Sequence, residues 1–196
     1  MKTVRICCRG RAALRPASAF DLDFILASEK HSDNAPFIRQ WSVRQHEAAM
    51  SDPNIGHFVV ESVPGGRPVG HVILVGLENP DFCLELRRIV ISKKSCGYGR
   101  EALRLIKAYT FDTLTFHRLW LDVFTNNKRA FKLYKSEGFT VEGLHREAVR
   151  YNDGFVDVKV MSILRSEYYG RIEWRPTRII GDVLDMSEQS GGLCIR

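Results

Sequence analysis

The fold is decided by Leu86-Arg87-Arg88-Ile89-Val90-Ile91, followed by Ser92-Lys93-Lys94-Ser95-Cys96-Gly97-Tyr98-Gly99-Arg100 and a run with helical spacing over residues 101–114. Apolar, β-branched residues predict a strand, and the Gly-x-Gly turn ends it. Ala102, Leu103, Ile106, Tyr109 and Leu114 then recur at three- and four-residue intervals, which predicts a helix covering a sheet. A strand that empties through a cationic turn into a helix aims unpaired N–H groups and the positive end of the helix dipole at one point. Such a point binds anions. Gly97 and Gly99 have no Cβ to hold a phosphate away from the backbone, and Lys93, Lys94 and Arg100 supply charge around it. Taken alone, the same residues also describe a helix start with solvated cations.

Downstream, residues 118–123 alternate as a strand, and Thr125-Asn126-Asn127 is a polar break that can cap a helix over 128–137 burying Ala130, Leu133 and Tyr134. Gly138-Phe139 stops that helix. Residues 140–150 and 155–164 pair as strands around Asn152-Asp153-Gly154, a hairpin signal. Upstream, 57–63 and 69–77 form a hairpin around Pro64-Gly65-Gly66-Arg67-Pro68, and 82–91 leads into the central turn. Two helices precede the hairpin, one capped by Ser18 and running through Ser28, the other opened by a Ser42/Gln45 capping box and running to Met50. The polar loop 31–40 between them, broken by Pro36, offers Asn34, Phe37, Arg39 and Trp41 as substrate contacts, or is a simple connector. Residues 3–8 and 12–15 are short strands. The expected organisation is an N-terminal segment 1–11, a domain 12–169 and a partly disordered tail 170–196.

Composition sets bounds on function. A chain of 196 residues, 44% hydrophobic and 27% charged, is one ordinary globular domain with tails. The net charge of +6 suits an anionic ligand. Five cysteines without Cys-x-x-Cys spacing indicate neither a disulfide framework nor a zinc site, so a reducing cytoplasm is expected. His57, His71, His117 and His145 lack metal-ligand spacing and read as structural. No apolar run reaches the roughly 18 residues of a membrane span. Lys2, Arg5, Arg9, Arg11 and Arg15, with no acid before Asp21, fit either a targeting segment or a basic first strand.

The order helix, helix, hairpin, strand, Gly-x-Gly turn, helix, strand, Asn-capped helix and hairpin is α/β with a mixed sheet. Residues 84–164 resemble the GNAT superfamily of acetyl-coenzyme-A-dependent N-acetyltransferases, and residues 41–61 add similarity to its branch of ribosomal-protein N-terminal and spermidine acetyltransferases. That family's pyrophosphate loop, Gln/Arg-x-x-Gly-x-Gly/Ala, is matched by Lys94-Ser95-Cys96-Gly97-Tyr98-Gly99, with Lys94 keeping the charge but not the planar fork. Its Asn-x-x-Ala-x-x-x-Tyr element is matched by Asn127 to Tyr134, followed by Gly138-Phe139.

The resemblance implies a three-layer fold with a central, mixed, mostly antiparallel, splayed sheet flanked by helices. It implies acetyl-coenzyme A as co-substrate, no metal, and direct attack by a primary amine of a protein N-terminus, a polyamine or a small amino compound. Tyr134 would be the acid that protonates the departing thiolate. Backbone groups of Arg88, Ile89 and Val90 would hold the pantetheine arm. Lys94, Ser95, Cys96, Gly97, Tyr98, Gly99 and Arg100, with Asn127 and Ala130, would hold the rest of the coenzyme.

Strict alternation on the central strand puts Glu85, Arg87, Ile89 and Ile91 on one face and Leu84, Leu86, Arg88 and Val90 on the other. Glu85 either orients the amine or pairs with Arg87. A polyamine would want several carboxylates, from among Glu29, Asp33 and Glu47, whereas a peptide would want an extended slot. The alternatives are a non-catalytic coenzyme-A-binding sensor and a dinucleotide-dependent oxidoreductase, since residues 97–102 also satisfy Gly-x-Gly-x-x-Ala with Asp122 about twenty residues on. Against the oxidoreductase, the gap over 92–96 is long and too little chain remains for a second mononucleotide half. Nothing points to nucleic acid as a partner, and a homodimer through the late strands is expected.

Overall fold

The computed structural model describes residues 7–151 and 153–170. Among the described residues, eight strands form one sheet: β1 (Cys7–Arg9), β2 (Ala12–Pro16), β3 (Ile55–Ser62), β4 (Pro68–Val75), β5 (Cys83–Ile91), β6 (Arg118–Phe124), β7 (Thr140–Tyr151) and β8 (Gly154–Leu164). Their order is β1-β2-β3-β4-β5-β6-β8-β7, and only β5 and β6 run parallel. The helices are α1 (Leu22–Lys30), α2 (Val43–Ser51), α3 (Tyr98–Ala108), α4 (Lys128–Ser136) and the short α5 (Arg165–Gly170). This is the mixed, mostly antiparallel α/β arrangement expected. The tail from 171 onward lies outside the described residues. Within the expected N-terminal segment, Cys7–Arg9 joins the sheet by pairing with Ala12 to Leu14, so the domain takes in part of that segment.

Local chemistry explains most boundaries. Ser42 Oγ accepts from Gln45 N, and Gln45 Oε1 accepts from Ser42 N at 2.8 Å, closing the capping box that starts α2. Gly97, at φ 81°, precedes α3 in the left-handed region that glycine adopts without strain. The α3 run is not one regular helix to Leu114: after Ala108 it widens into a π turn over Tyr109–Thr113. Asn127 caps α4 by accepting from Ala130 N at 3.1 Å.

The main apolar core lies between the sheet and α3 and α4. Leu14, Phe58, Val60, Val72, Leu74, Leu84 and Leu86 meet Leu103, Ile106, Leu133 and Tyr134 there. On the other face α1 and α2 cover His57, Val59, His71, Ile73, Arg88 and Val90, several of them polar. Phe20, within the span expected for the first helix, is fully exposed in a 3-10 turn ahead of α1.

Two irregularities in β5 shape everything that follows. The first is a bulge: Leu74 pairs with Leu86, yet Ile73 pairs with Arg88, leaving Arg87 without an opposite number. One extra residue turns the rest of the strand over. The faces predicted from alternation are therefore wrong beyond Leu86. Ile89 and Ile91 join Leu84 and Leu86 on the core side, whereas Arg88 turns to the opposite side. The second irregularity is a splay, because β5 pairs with β6 only over Cys83, Leu84 and Glu85. Beyond that the two strands part.

Candidate active site

The parting of β5 and β6 opens a cleft of about 890 Å³. Leu86, Arg87, Arg88, Ile89 and Ile91 form one wall, and Asp122, Val123 and Phe124 with the start of α4 form the other. The N-terminal turns of α3 and α4 both open into it through Gly97, Tyr98 and Gly99 and through Asn127, Lys128, Arg129 and Ala130. Two helix N-termini, with Lys93, Lys94, Lys128 and Arg129 around them, give this end of the cleft the chemistry that suits an anion. A Cβ on Gly99 would stand 3.6 Å from Leu133 and 3.7 Å from Ile91, ordinary contact. The protein does not itself fill the space over Gly99, which leaves room for an approaching phosphate.

The roof is residues 32–41, fastened at four points. Asn34 Nδ2 donates to Ser28 O at 2.8 Å, while Asn34 Oδ1 accepts from Lys94 Nζ across the cleft. Tyr151 Oη donates to Ala35 O at 2.9 Å. Arg88 Nη2 donates to Arg39 O at 2.6 Å, and the Arg88 guanidinium lies 4.5 Å from the Trp41 ring centroid. Asn34, Phe37 and Trp41, expected as substrate contacts, all line the cleft.

Arg88 is held from below by a buried network. Its Nη1 donates to Glu29 Oε1 at 2.6 Å, and the same oxygen lies 3.1 Å from His71 Nε2. His46 Nε2 stands 3.5 Å away, and His46 Nδ1 faces His57 Nε2 at 3.1 Å. Burial opposes the Glu29 charge, but its His46, His71 and Arg88 neighbours hold the carboxyl well below the usual range. Burial lowers His57 to about 3 and lowers His71 as well, so both rings are neutral at physiological pH. His57 and His71 thus do structural work. Among the described residues no group of His, Cys, Asp and Glu side chains is arranged to hold a metal ion.

Tyr134 lies in the cleft and is 6% exposed, its hydroxyl pushed far above its ordinary value by burial and by the nearby charge of Asp122. Asp122 opens onto solvent in the cleft, and burial by the surrounding walls raises its carboxyl against the pull of Arg87 and His145. In sequence, Asp122 stands out only as the acid about twenty residues beyond the Gly-x-Gly-x-x-Ala match, and its place near Tyr134 depends on the splay.

Lys94, Ser95, Gly97, Tyr98, Gly99, Arg88, Ile89, Asn127 and Ala130 line the cleft as well. Four expected site residues are not among its lining. Glu85 is paired with Arg87 at 2.6 Å and borders a separate, smaller groove beside Trp120, which favours the ion-pair alternative over a base. Val90 is turned by the bulge onto the α1/α2 side and is 1% exposed. Cys96 accepts at its carbonyl from Arg11. Arg100 reaches away to Glu137, which also holds Arg104 and Lys107. Of the acids considered for a polyamine site, Asp33 lines the cleft, whereas Glu29 is consumed by Arg88 and Glu47 is not in the lining.

Residues 21–139 match the acetyltransferase (GNAT) family, and the chain belongs to it. It is 36% identical over 117 residues to a spermidine N(1)-acetyltransferase of Vibrio cholerae, covering 59% of this chain and 67% of the relative. It is 28% identical over 167 residues to the spermidine N(1)-acetyltransferase of Escherichia coli K12, covering 79% and 87%. The structure of the Vibrio cholerae spermidine N-acetyltransferase in complex with CoA and spermine superposes with a TM-score of 0.73 at 27% identity, over 82% of this chain and 99% of that one. A dodecameric structure of the Vibrio cholerae enzyme gives a TM-score of 0.71 at 27% identity, over 84% and 100%. The chain is an N-acetyltransferase that uses acetyl-coenzyme A.

Proposed function

We propose that the splayed cleft carries out direct acetyl transfer to a primary amine, with Tyr134 as general acid and Asp122 as the carboxylate that receives the amine. The observation that carries this reading is the gap between β5 and β6, which leaves strand edges unpaired beside Tyr134. Bound acetyl-coenzyme A supplies an acetyl thioester, from which the amine nitrogen takes the acetyl group as the sulfur departs.

The protein's part is binding and proton traffic. The α3 and α4 N-termini, with Lys93, Lys94, Lys128 and Arg129, hold the phosphates. Backbone groups of β5 beyond Glu85 add hydrogen bonds along the pantetheine arm and polarise the carbonyl. An alkyl ammonium must lose its proton before it attacks, and Asp122, raised by burial toward neutrality, is placed to take it or pass it to water. Burial keeps Tyr134 protonated, as a donor to the leaving thiolate must be.

The free thiols of Cys83 and Cys96 support action in a reducing cytoplasm, and no helix among the described residues is long and apolar enough to cross a membrane. The exposed Val141 and Leu144 on β7, at the sheet's edge, support self-association through the β7–β8 hairpin. Residues 12–169, with the strand Cys7–Arg9 added to their sheet, serve as the acetyltransferase domain.

Calorimetric titration with acetyl-coenzyme A and, in parallel, NADH tests the reading. Binding of acetyl-coenzyme A alone, with thiol release on adding an amine, is expected. Binding of NADH alone would overturn it, and binding of acetyl-coenzyme A without transfer to any amine would leave a sensor.

A further inference from the structure

The charge on the lining of the cleft bears on what the acceptor is. Seven cationic side chains line it, Arg39, Arg87, Arg88, Lys93, Lys94, Lys128 and Arg129, against two acids, Asp33 and Asp122. Lys93, Lys94, Lys128 and Arg129 flank the helix N-termini and suit the coenzyme phosphates. Arg88 stands beside Arg39 and Trp41, through its hydrogen bond to Arg39 O and its contact with the Trp41 ring, and Arg87 precedes it on β5. Asp33 belongs to the coenzyme end, because its charge acts on Lys94. Asp122 is therefore the one acid lining the reacting end.

The three arginines are close enough that Arg39 and Arg87 both act on Arg88 as like charges. Two of them have carboxylates of their own, Glu29 for Arg88 at 2.6 Å and Glu85 for Arg87 at 2.6 Å. Arg39 has no ion pair among the described residues. Its backbone is nonetheless fixed, since Arg88 Nη2 holds its carbonyl at 2.6 Å. Arg39 is exposed and stands beside two arginines that already have carboxylates of their own, so its guanidinium can take an anion from outside. A polyamine brings two or three positive charges to the same place, and one carboxylate does not offset them.

We propose that the acceptor is a primary amine that also carries a carboxylate, the amine facing Asp122 and the carboxylate held by Arg39. This rests on the acetyl-transfer reading above and sets its substrate class. Two sources share that chemistry, a free amino acid and an acidic N-terminus of a peptide.

The test is steady-state thiol release at saturating acetyl-coenzyme A. The acceptors are glutamate, a short peptide beginning with an acidic residue, an uncharged-tail alkylamine and spermidine. One of the first two is expected to have the highest kcat/KM, and which one identifies the source. Arg39→Gln should raise KM for that acceptor at least tenfold relative to its effect on the alkylamine, with kcat changed little. Arg39→Glu should shift the preference toward spermidine. Spermidine preferred by the wild-type protein, or Arg39→Gln without effect on selectivity, overturns the proposal while leaving acetyl transfer intact. Acetyl-coenzyme A bound with no amine accepted overturns the underlying reading instead.

Discussion

The Arg88 guanidinium lies 4.5 Å from the Trp41 ring centroid while its Nη1 is hydrogen-bonded to Glu29 at 2.6 Å, so one side chain joins the central strand, helix α1 and the roof of the cleft. Glu29 is 1% exposed and Arg88 8%. Removing one partner of such a pair leaves an uncompensated buried charge. Glu29→Gln should therefore cost about 3–5 kcal/mol of stability, read as a lower denaturant midpoint. Glu29→Leu combined with Arg88→Met should recover a large part of that loss, because the pair as a whole has lost its desolvation cost. Equal destabilisation by the single and double variants would argue against the pair as the source.

Tyr134→Phe should keep acetyl-coenzyme A affinity within a factor of about three and lose turnover by roughly 100-fold or more, the range for a positioned general acid. The ring packs in the core near Phe139, and phenylalanine preserves that packing. Retained turnover would remove the hydroxyl from the acid role.

Gly99→Asp should abolish coenzyme binding without unfolding the chain. The space around a Cβ at Gly99 is ordinary and its φ is not left-handed, so the fold tolerates a side chain there, while bulk and negative charge enter the phosphate site. Unchanged affinity by calorimetry, with a normal circular dichroism spectrum, would mean the phosphates bind elsewhere. Gly97→Ala is a different experiment, because φ 81° strains any L side chain and the loss expected there is in stability.

Acid should destabilise the protein early. His57, lowered to about 3 by burial, and His71, lowered likewise, stay neutral in the folded chain, whereas an unfolded histidine takes up its proton near 6.5. The unfolded state then binds more protons, so stability falls as pH drops below about 6.5, by about 1.4 kcal/mol per pH unit for each histidine fully engaged. The depressed carboxyls of Glu29 and Glu137 add to the loss once pH passes their ordinary value of 4.5. Chemical denaturation at a series of pH values measures the slope. His57→Asn should flatten it between pH 6.5 and 4.5.

The parts of this site that sequence made visible are those built from neighbours along the chain. The Ser42/Gln45 capping box, the Gly97 turn and the Asn127 cap each depend on residues a few positions apart, and each is present in the structure. The role of Tyr134 is implied by the resemblance of Asn127 to Tyr134 to the family's Asn-x-x-Ala-x-x-x-Tyr element, and Tyr134 lines the cleft. The missing parts depend on register and long separations. A period of two cannot reveal the extra residue at Arg87, so alternation alone puts Arg88 on the face of Leu84 and Leu86. Nothing local links Glu29 to Arg88 across 59 residues. Alternation shows Asp122 only as an acid on a strand, and its place in the cleft comes from where β6 leaves β5.

That departure also has a mechanical meaning. The two halves of the sheet are joined edge to edge through three residue pairs alone, Cys83 with Arg118, Leu84 with Leu119 and Glu85 with Trp120. In the binding mode proposed above, the coenzyme lies along β5 beyond Glu85 and takes the place of a missing rung in the ladder, which would make it a structural splint as well as a reagent. Amide hydrogens of β5 and β6 beyond these pairs should exchange with solvent faster in the free protein than in the complex, and melting temperature should rise with coenzyme concentration.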